Sequence, residues 1–222
     1  MDIINECVET YQKALGYSID HKNGNRSKHR TDLLNTGIIS LISKNLPDPE
    51  MWSVEEEVKI PCTRATSNSP DKTFSIDLIF THKKTERKIY ALLKSIESSY
   101  NKNSQNFANC TVGEVERIYG KGTIHCVTLK NARKDDVTLF FTLVPQYLPK
   151  SGKTEEVNYT APHIDNLRMF NKNIHQVSVI LECSGNPTNK QELLSSITGK
   201  AINANKAKEN FEQFIGNVKS VL

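Results

Sequence analysis

The sequence predicts an α+β fold of α/β/α-like layering, in which a mixed central sheet with a three-strand meander is flanked by helices. Apolar residues recur at helical spacing near both ends of the chain, and the segments between them alternate apolar and polar residues as strands do. The connection THKKTER is short enough to join two of these segments as an antiparallel hairpin. At 222 residues the chain is the size of a single domain, residues 1–222.

Two predicted helices precede the sheet. Residues 2–16 place apolar side chains on one helical face, and TDLLNTGIISLISKNL repeats this pattern with Thr31 as its candidate N-cap. Pro47 ends the second helix, because proline cannot continue the backbone ladder. We therefore expect both helices to pack their apolar faces against the sheet that follows.

The predicted meander consists of VEEEVKIPC, TFSIDLIF and KIYALLK. Asp77 lies in the middle of the second strand and Lys94 at the end of the third. On a shared sheet face, these two charged groups would meet near the sheet margin. Glu56 is the one carboxylate on an otherwise apolar face of the first strand. Either it lies at the exposed start of that strand, or it has a partner such as a metal ion or Lys94.

Further predicted helices and strands follow the meander. A polar, Asn-rich segment after Lys94 leads into a predicted helix, and three later segments are predicted strands: TIHCVTLKN, DVTLFFTLVP and HQVSVILECSG. Residues 146–163 form a long polar connection, which we interpret as a functional loop or lid. Residues 187–222 are predicted to be helical, interrupted near Gly199 and capped by Thr188 or Asn189. This C-terminal part would form a dimer or cover the sheet.

The amino-acid composition limits the classes of protein to which this chain can belong. Hydrophobic residues make up 37% of the chain and charged residues 24%, which is typical of a globular domain that buries a core. We expect no membrane segment and a cytoplasmic location, since no apolar run is long enough to span a bilayer and the N-terminus is polar and acidic. The five cysteines are scattered and indicate reduced, buried thiols. Motifs of P-loop, Rossmann, zinc-protease and GxSxG enzymes are absent.

A basic segment, HKNGNRSKHR, precedes the second helix. It carries Lys22, Arg26, Lys28 and Arg30 together with two histidines and no acid. Lys and Arg side chains neutralise backbone phosphates of nucleic acids, so this segment favours phosphate contacts. The alternative is a solvated loop without a partner.

The element order, with Asp77 on one strand and Lys94 ending the next, resembles the PD-(D/E)XK nuclease core of type II restriction endonucleases. The segment after Lys94 is also similar to a run found in restriction endonuclease-like proteins, of the form LLKSxxxSYNKNxxNxxNxxxGExxRI. The matched residues are Lys94, Ser95, Ser98, Ser99, Asn101, Asn103, Asn106, Asn109, Gly113, Glu114 and Arg117. The resemblance covers roughly residues 30–145, the region of the core.

The resemblance implies a Mg²⁺-dependent type II restriction endonuclease that cuts double-stranded DNA at a short specific site as a homodimer. Its catalytic residues would be Asp77, Lys94 and Glu56, and its metal ligands would be Asp77, Glu56 and Glu114. Its DNA contacts would come from Lys22, Arg26, Lys28, Arg30, Ser95, Ser98, Ser99, Asn101, Lys102, Asn103 and Asn106. One departure concerns the acid that the family places two residues before the lysine, because that position is Leu92 here.

Several alternatives remain open from the sequence. Asp77 and Lys94 could be a plain cross-strand ion pair, and the Asn-rich run a capped helix start. Leucine cannot bind a hard cation, so Leu92 also favours a catalytically inactive, nuclease-like module that binds DNA or a protein. An RNA-directed endonuclease of the same core is a further possibility. Aromatic residues make up only 7% of the chain and avoid the basic segments, which favours duplex DNA over RNA.

Overall fold

The computed structural model describes residues 3–21, 28–64, 72–97, 127–129, 133, 135–157 and 172–222. It confirms the predicted α+β fold: a mixed seven-stranded sheet is packed against helices, and a separate two-stranded hairpin lies beside it. The order of strands in the large sheet is β4-β1-β2-β3-β5-β8-β9. Its strands are β1 (Trp52–Arg64), β2 (Lys72–His82), β3 (Lys88–Ser95), β4 (Val127–Leu129), β5 (Val137–Pro145), β8 (Ile174–Cys183) and β9 (Ile197–Ala201).

The predicted meander is present as β1, β2 and β3, which pair antiparallel in sequence order. Beyond it the sheet changes direction, because β5 pairs parallel with β3 and β8 pairs parallel with β5. The parallel strands are almost entirely buried, as expected for strands covered on both faces. The carboxyl ends of β3, β5 and β8 therefore lie at one edge of the sheet.

Four α-helices lie within the described residues: α1 (Ile3–Asp20), α2 (Lys28–Asn45), α3 (Lys190–Ser196) and α4 (Ala204–Val221), with a 3-10 turn at Pro49–Met51. Helix α2 begins at Lys28, so the prediction that Thr31 caps it is wrong. At the other end of the chain, Asn189 caps α3 as predicted, since its side chain accepts a hydrogen bond from the amide of Glu192. The predicted helix after Lys94 falls on residues 98–126, outside the described ranges.

The main core lies between α1, α2, α4 and one face of the sheet, which presents Leu78, Ala91, Leu139, Phe141 and Val179 to the helices. Helix α4 contributes Phe211 and Phe214. A Cβ atom built on Gly37 of α2 would lie 2.1 Å from Oγ1 of Thr10 in α1. The absence of a side chain at residue 37 thus allows the backbones of α1 and α2 to approach closely.

Two predictions for the second half of the chain are wrong. Residues 147–156, predicted to be part of a polar loop or lid, form the hairpin of β6 (Tyr147–Lys150) and β7 (Lys153–Glu156), and Leu148 in it is fully buried. Residues 197–201, predicted to be helical, form β9, which pairs antiparallel with β8 at the sheet edge. The C-terminal part, residues 187–222, therefore contributes a strand to the sheet as well as two helices.

None of the helices in the described part of the chain is long and apolar enough to cross a bilayer.

Candidate functional site

The candidate site lies where β2 and β3 separate. Their antiparallel pairing runs from Thr81 and Lys88 to Leu78 and Ala91. One residue further along, Oδ2 of Asp77 accepts a hydrogen bond of 2.7 Å from the backbone N–H of Leu93. The carboxylate thus replaces a backbone carbonyl of the neighbouring strand as the acceptor for this amide of β3. The hydrogen bond fixes the carboxylate at the point where the two strands diverge.

A cavity of about 260 Å³ lies at this point, between α2 and the carboxyl ends of β3 and β5. Its apolar wall is formed by Leu34, Ile38, Leu93, Phe141 and Leu143. Its polar wall is formed by Arg30, Thr31, Asn35, Asp77, Lys94 and Ser95. The structure therefore brings the two residues on which the family resemblance rests, Asp77 and Lys94, to the wall of one cavity.

The surroundings of Asp77 disfavour the ionised form of its carboxyl group. Burial is the largest effect and raises its pKa above the ordinary value of 3.8, while the Leu93 amide and the charge of Lys94 act in the opposite direction. The negative charge of Glu57 raises the pKa further. A carboxyl group with a raised pKa in a cavity, next to a cation and a second carboxylate, is typical of functional sites.

Glu57 is a site residue that the sequence interpretation missed. In the pairing of β1 with β2, Glu56 is opposite Leu78 and Val58 is opposite Ile76, so Glu57 lies between these pairs at the register level of Asp77. Glu57 also has a φ angle of 49°, in the left-handed region that residues with a side chain rarely adopt within a strand. The sequence signal was its place on the polar face of β1, but only the register of β1 on β2 shows that this face meets Asp77.

Glu56, the predicted partner of Asp77, lies elsewhere. Its side chain is exposed and accepts a hydrogen bond of 3.3 Å from Nδ2 of Asn35. Asn35 is only 2% exposed and also lines the cavity. Glu56 therefore contacts the cavity wall through Asn35, and Glu57, not Glu56, lies at the register level of Asp77.

Leu92, at the position where the family carries an acid, is 1% exposed. Its neighbour across the sheet at the same register level is Phe140 on β5, and two residues earlier on β3 Tyr90 pairs with Ile79. All of these side chains are buried. The position is thus occupied by core packing, and no ligand atom is available there.

The basic segment contributes two different kinds of residue. Lys28 is exposed, and its Nζ lies 3.8 Å from Oε2 of Glu57, beside the site. Arg30 is buried within α2, where its Nε donates to Oε1 of Glu97, and its Nη2 lies 3.4 Å from Oγ of Ser95. Of these predicted DNA contacts, Lys28 lies on the surface, whereas Arg30 is part of the interior and of the cavity wall.

The remaining predicted site residues lie outside the described ranges. They are Lys22, Arg26, Ser98, Ser99, Asn101, Lys102, Asn103, Asn106 and Glu114. Within the described ranges, no three His, Cys, Asp or Glu side chains are grouped so that they could hold a metal ion. Asp77 and Glu57 are carboxylates of neighbouring strands at this site, and the charge of Glu57 acts on Asp77.

Comparison of the chain with protein-family models, with curated proteins and with solved structures finds no match in any of the three.

Proposed function

We propose that this protein is a Mg²⁺-dependent endonuclease that hydrolyses phosphodiester bonds of double-stranded DNA, in the manner of a type II restriction enzyme. The observation that carries the proposal is that Asp77 and Lys94 line one cavity, with Glu57 opposite Asp77 on the adjacent strand. A homodimer follows from the substrate, because a two-fold symmetric DNA site is matched by a two-fold symmetric protein.

Asp77 and Glu57 are the residues that would hold the metal ion. Mg²⁺ is commonly bound by one or two carboxylates and keeps several of its waters. The Leu93 amide occupies one oxygen of Asp77, and a carboxylate has about four acceptor positions, so capacity for a cation remains. A cation between the two carboxylates would also relieve the repulsion that Glu57 exerts on Asp77. Bound Mg²⁺ supplies Lewis acidity toward a phosphoryl oxygen and makes water a better nucleophile.

Lys94 would stabilise negative charge on the phosphate. The positive charge of Lys94 lowers the pKa of Asp77, which supports a position of the ammonium group near that carboxylate. Preorganised positive charge beside a reacting phosphate stabilises the additional charge of the transition state. Lys28, exposed beside Glu57, would contact the DNA backbone next to the reacting group.

The test is cleavage of plasmid DNA with and without Mg²⁺ by the wild type and by Asp77→Asn, Glu57→Gln and Lys94→Met. We expect each substitution to lower the cleavage rate by about 10²-fold or more, because each removes a charge that acts on the reacting phosphate. Glu55→Gln is the matched control, since Glu55 is an exposed carboxylate of the same strand and lies opposite Ile79. Undiminished cleavage by the Asp77 and Lys94 variants would overturn the proposal.

A second candidate function is a nuclease-like module that binds DNA without cutting it. The burial of Leu92 at the position of the missing acid favours it. This candidate predicts salt-sensitive DNA binding that is unaffected by Mg²⁺, with no cleavage under any divalent cation. Leu92→Glu distinguishes a decayed nuclease, which would regain cleavage, and Leu92→Gln serves as the control. Folding of both variants must be checked first, because each buries a polar group in the core.

A further inference from the structure

The chain that leaves β3 after Ser95 is held by three helices through one buried carboxylate. Glu97 is 6% exposed and accepts hydrogen bonds from Nε of Arg30 in α2, from Oγ of Ser18 in α1 at 2.8 Å, and from Nζ of Lys190 in α3 at 2.7 Å. Both of its oxygens are used. Two cations and a hydroxyl thus compensate a carboxylate that would otherwise be costly to bury.

A second contact fixes the backbone of the preceding residue. The hydroxyl of Tyr11 in α1 donates to the carbonyl oxygen of Ile96 at 2.8 Å. Burial raises the pKa of Tyr11 well above its usual range, with the charge of Glu97 adding to the effect, so the phenol remains protonated and a donor at neutral pH. Tyr11, Ser18, Arg30, Glu97 and Lys190 are hereafter called the Glu97 clamp.

The clamp adjoins the candidate site. Pairing of β3 with β5 ends at Ser95 opposite Leu143, so the sheet ladder no longer restrains the chain beyond Ser95. Ile96 and Glu97 come directly after that point, and the clamp provides the restraint there. Arg30 links the clamp to the candidate site, because it binds Glu97, lines the cavity and approaches Ser95.

We propose that Glu97 is a positioning residue of the nuclease site: the clamp fixes the end of β3 and thereby holds Lys94 at the cavity wall. Glu97 acts through Arg30 and the backbone, and it does not itself contact the substrate. The kinetic part of the test rests on the function proposed above, whereas the structural part does not.

The experiment compares Glu97→Gln and Lys190→Met with the control Lys206→Met. Lys206 is a matched lysine near the start of a helix, but its ion pair with Glu209 is exposed. Hydrogen–deuterium exchange of the amides of residues 93–97 reports on the clamp without any substrate, and kcat and KM for plasmid cleavage report on the site. We expect exchange at residues 93–97 to accelerate about tenfold or more in the two clamp variants, with kcat falling by a similar factor and KM changing little.

A general loss of stability would accelerate exchange throughout the sheet, including β8, and this outcome would overturn the positioning role. A kcat within twofold of wild type in folded Glu97→Gln would overturn it as well. If Glu97→Gln does not fold, exchange and kcat of Lys190→Met test the proposal, because this variant leaves the pair of Glu97 with Arg30 in place. If the wild type cleaves no DNA, the proposed function fails, and the exchange of residues 93–97 still shows whether the clamp holds the end of β3.

Discussion

Two carboxyl groups near the end of β3, the half-buried Asp77 and the buried Glu97, have contrasting environments. Glu97 accepts from Arg30, Ser18 and Lys190, so its charge is compensated by direct partners. Asp77 accepts from a single backbone amide among the described residues and lies opposite another carboxylate. Both groups are partly or fully removed from water, and at Asp77 burial and the like charge of Glu57 raise the pKa above its ordinary value.

The difference in hydrogen-bond partners distinguishes a carboxylate that stabilises the fold, Glu97, from one with remaining acceptor positions, Asp77. A compensated buried charge contributes to a defined geometry, and removal of one partner leaves the others uncompensated. An undercompensated carboxyl group lowers the stability of the folded state, and natural proteins commonly retain such groups where function requires them. This difference agrees with the two proposals, in which Glu97 has a positioning role and Asp77 contacts the metal ion or substrate. Four substitutions test it, in order of decreasing expected effect.

Glu97→Ala should destabilise the protein most. It leaves the buried guanidinium of Arg30 and the ammonium of Lys190 without their shared carboxylate, which we expect to cost about 3–5 kcal/mol of unfolding free energy. Urea denaturation measures this change. Glu209→Ala is the control, because it breaks the exposed pair with Lys206 and should alter stability by less than about 1 kcal/mol. Equal effects of the two substitutions would contradict the structural role of Glu97.

Gly37→Ala tests the helix packing that supports the clamp. A Cβ at residue 37 would lie 2.1 Å from Oγ1 of Thr10, so α1 and α2, which carry Ser18 and Arg30, must move apart. We expect a loss of about 1–3 kcal/mol in urea denaturation. Gly216→Ala provides the comparison, since nothing lies within 4 Å of a Cβ there and an exposed helical alanine should be stabilising. A neutral Gly37→Ala would show that the two helices do not require close contact.

Asp77→Asn should stabilise the protein while it lowers activity. The raised pKa means that the folded state holds the proton of Asp77 more tightly than the unfolded state does, so ionisation lowers stability as the pH rises from about 3.8 through the folded-state pKa. Asparagine cannot ionise and still accepts from Leu93. We expect a gain of roughly 1 kcal/mol at pH 7, or about 2–4 °C in Tm, and no gain near pH 3.

Thermal unfolding of wild type and Asp77→Asn across pH measures this difference. A stability gain that is the same at pH 3 and pH 7 would show that the ionisation of Asp77 is not its origin. Loss of stability at neutral pH would place Asp77 in the same class as Glu97 and remove the contrast between them.

Asn189→Ala should have the smallest effect. The side chain of Asn189 accepts from the amide of Glu192 at 2.9 Å and caps α3, the helix whose first residue is Lys190. Loss of this cap should cost about 0.5–1 kcal/mol, because one amide at the helix start loses its partner. Asn189→Asp retains the acceptor and should be close to wild type in thermal unfolding. If both variants behave alike, the cap does not contribute to the position of Lys190.

The sequence by itself determined the fold class and the three-strand meander. Alternation in TFSIDLIF and KIYALLK, with a short polar connection between them, is a local pattern that specifies strands and a hairpin directly. The sequence also predicted that Asp77 and Lys94 lie close together, and both line one cavity. The helical pattern at residues 2–16 likewise corresponds to α1. Each of these features depends on neighbours along the chain, and such information is present in the sequence.

Only the tertiary structure decided which groups meet Asp77 and which support it. Glu57 rather than Glu56 lies opposite Asp77 because of the register between β1 and β2, and an isolated strand does not reveal its register. Residues 197–201 form a strand because the edge of β8 offers hydrogen-bond partners there, which overrides their helical context. Glu97 joins residues from three helices that are distant in sequence, and its role follows from where packing places their side chains.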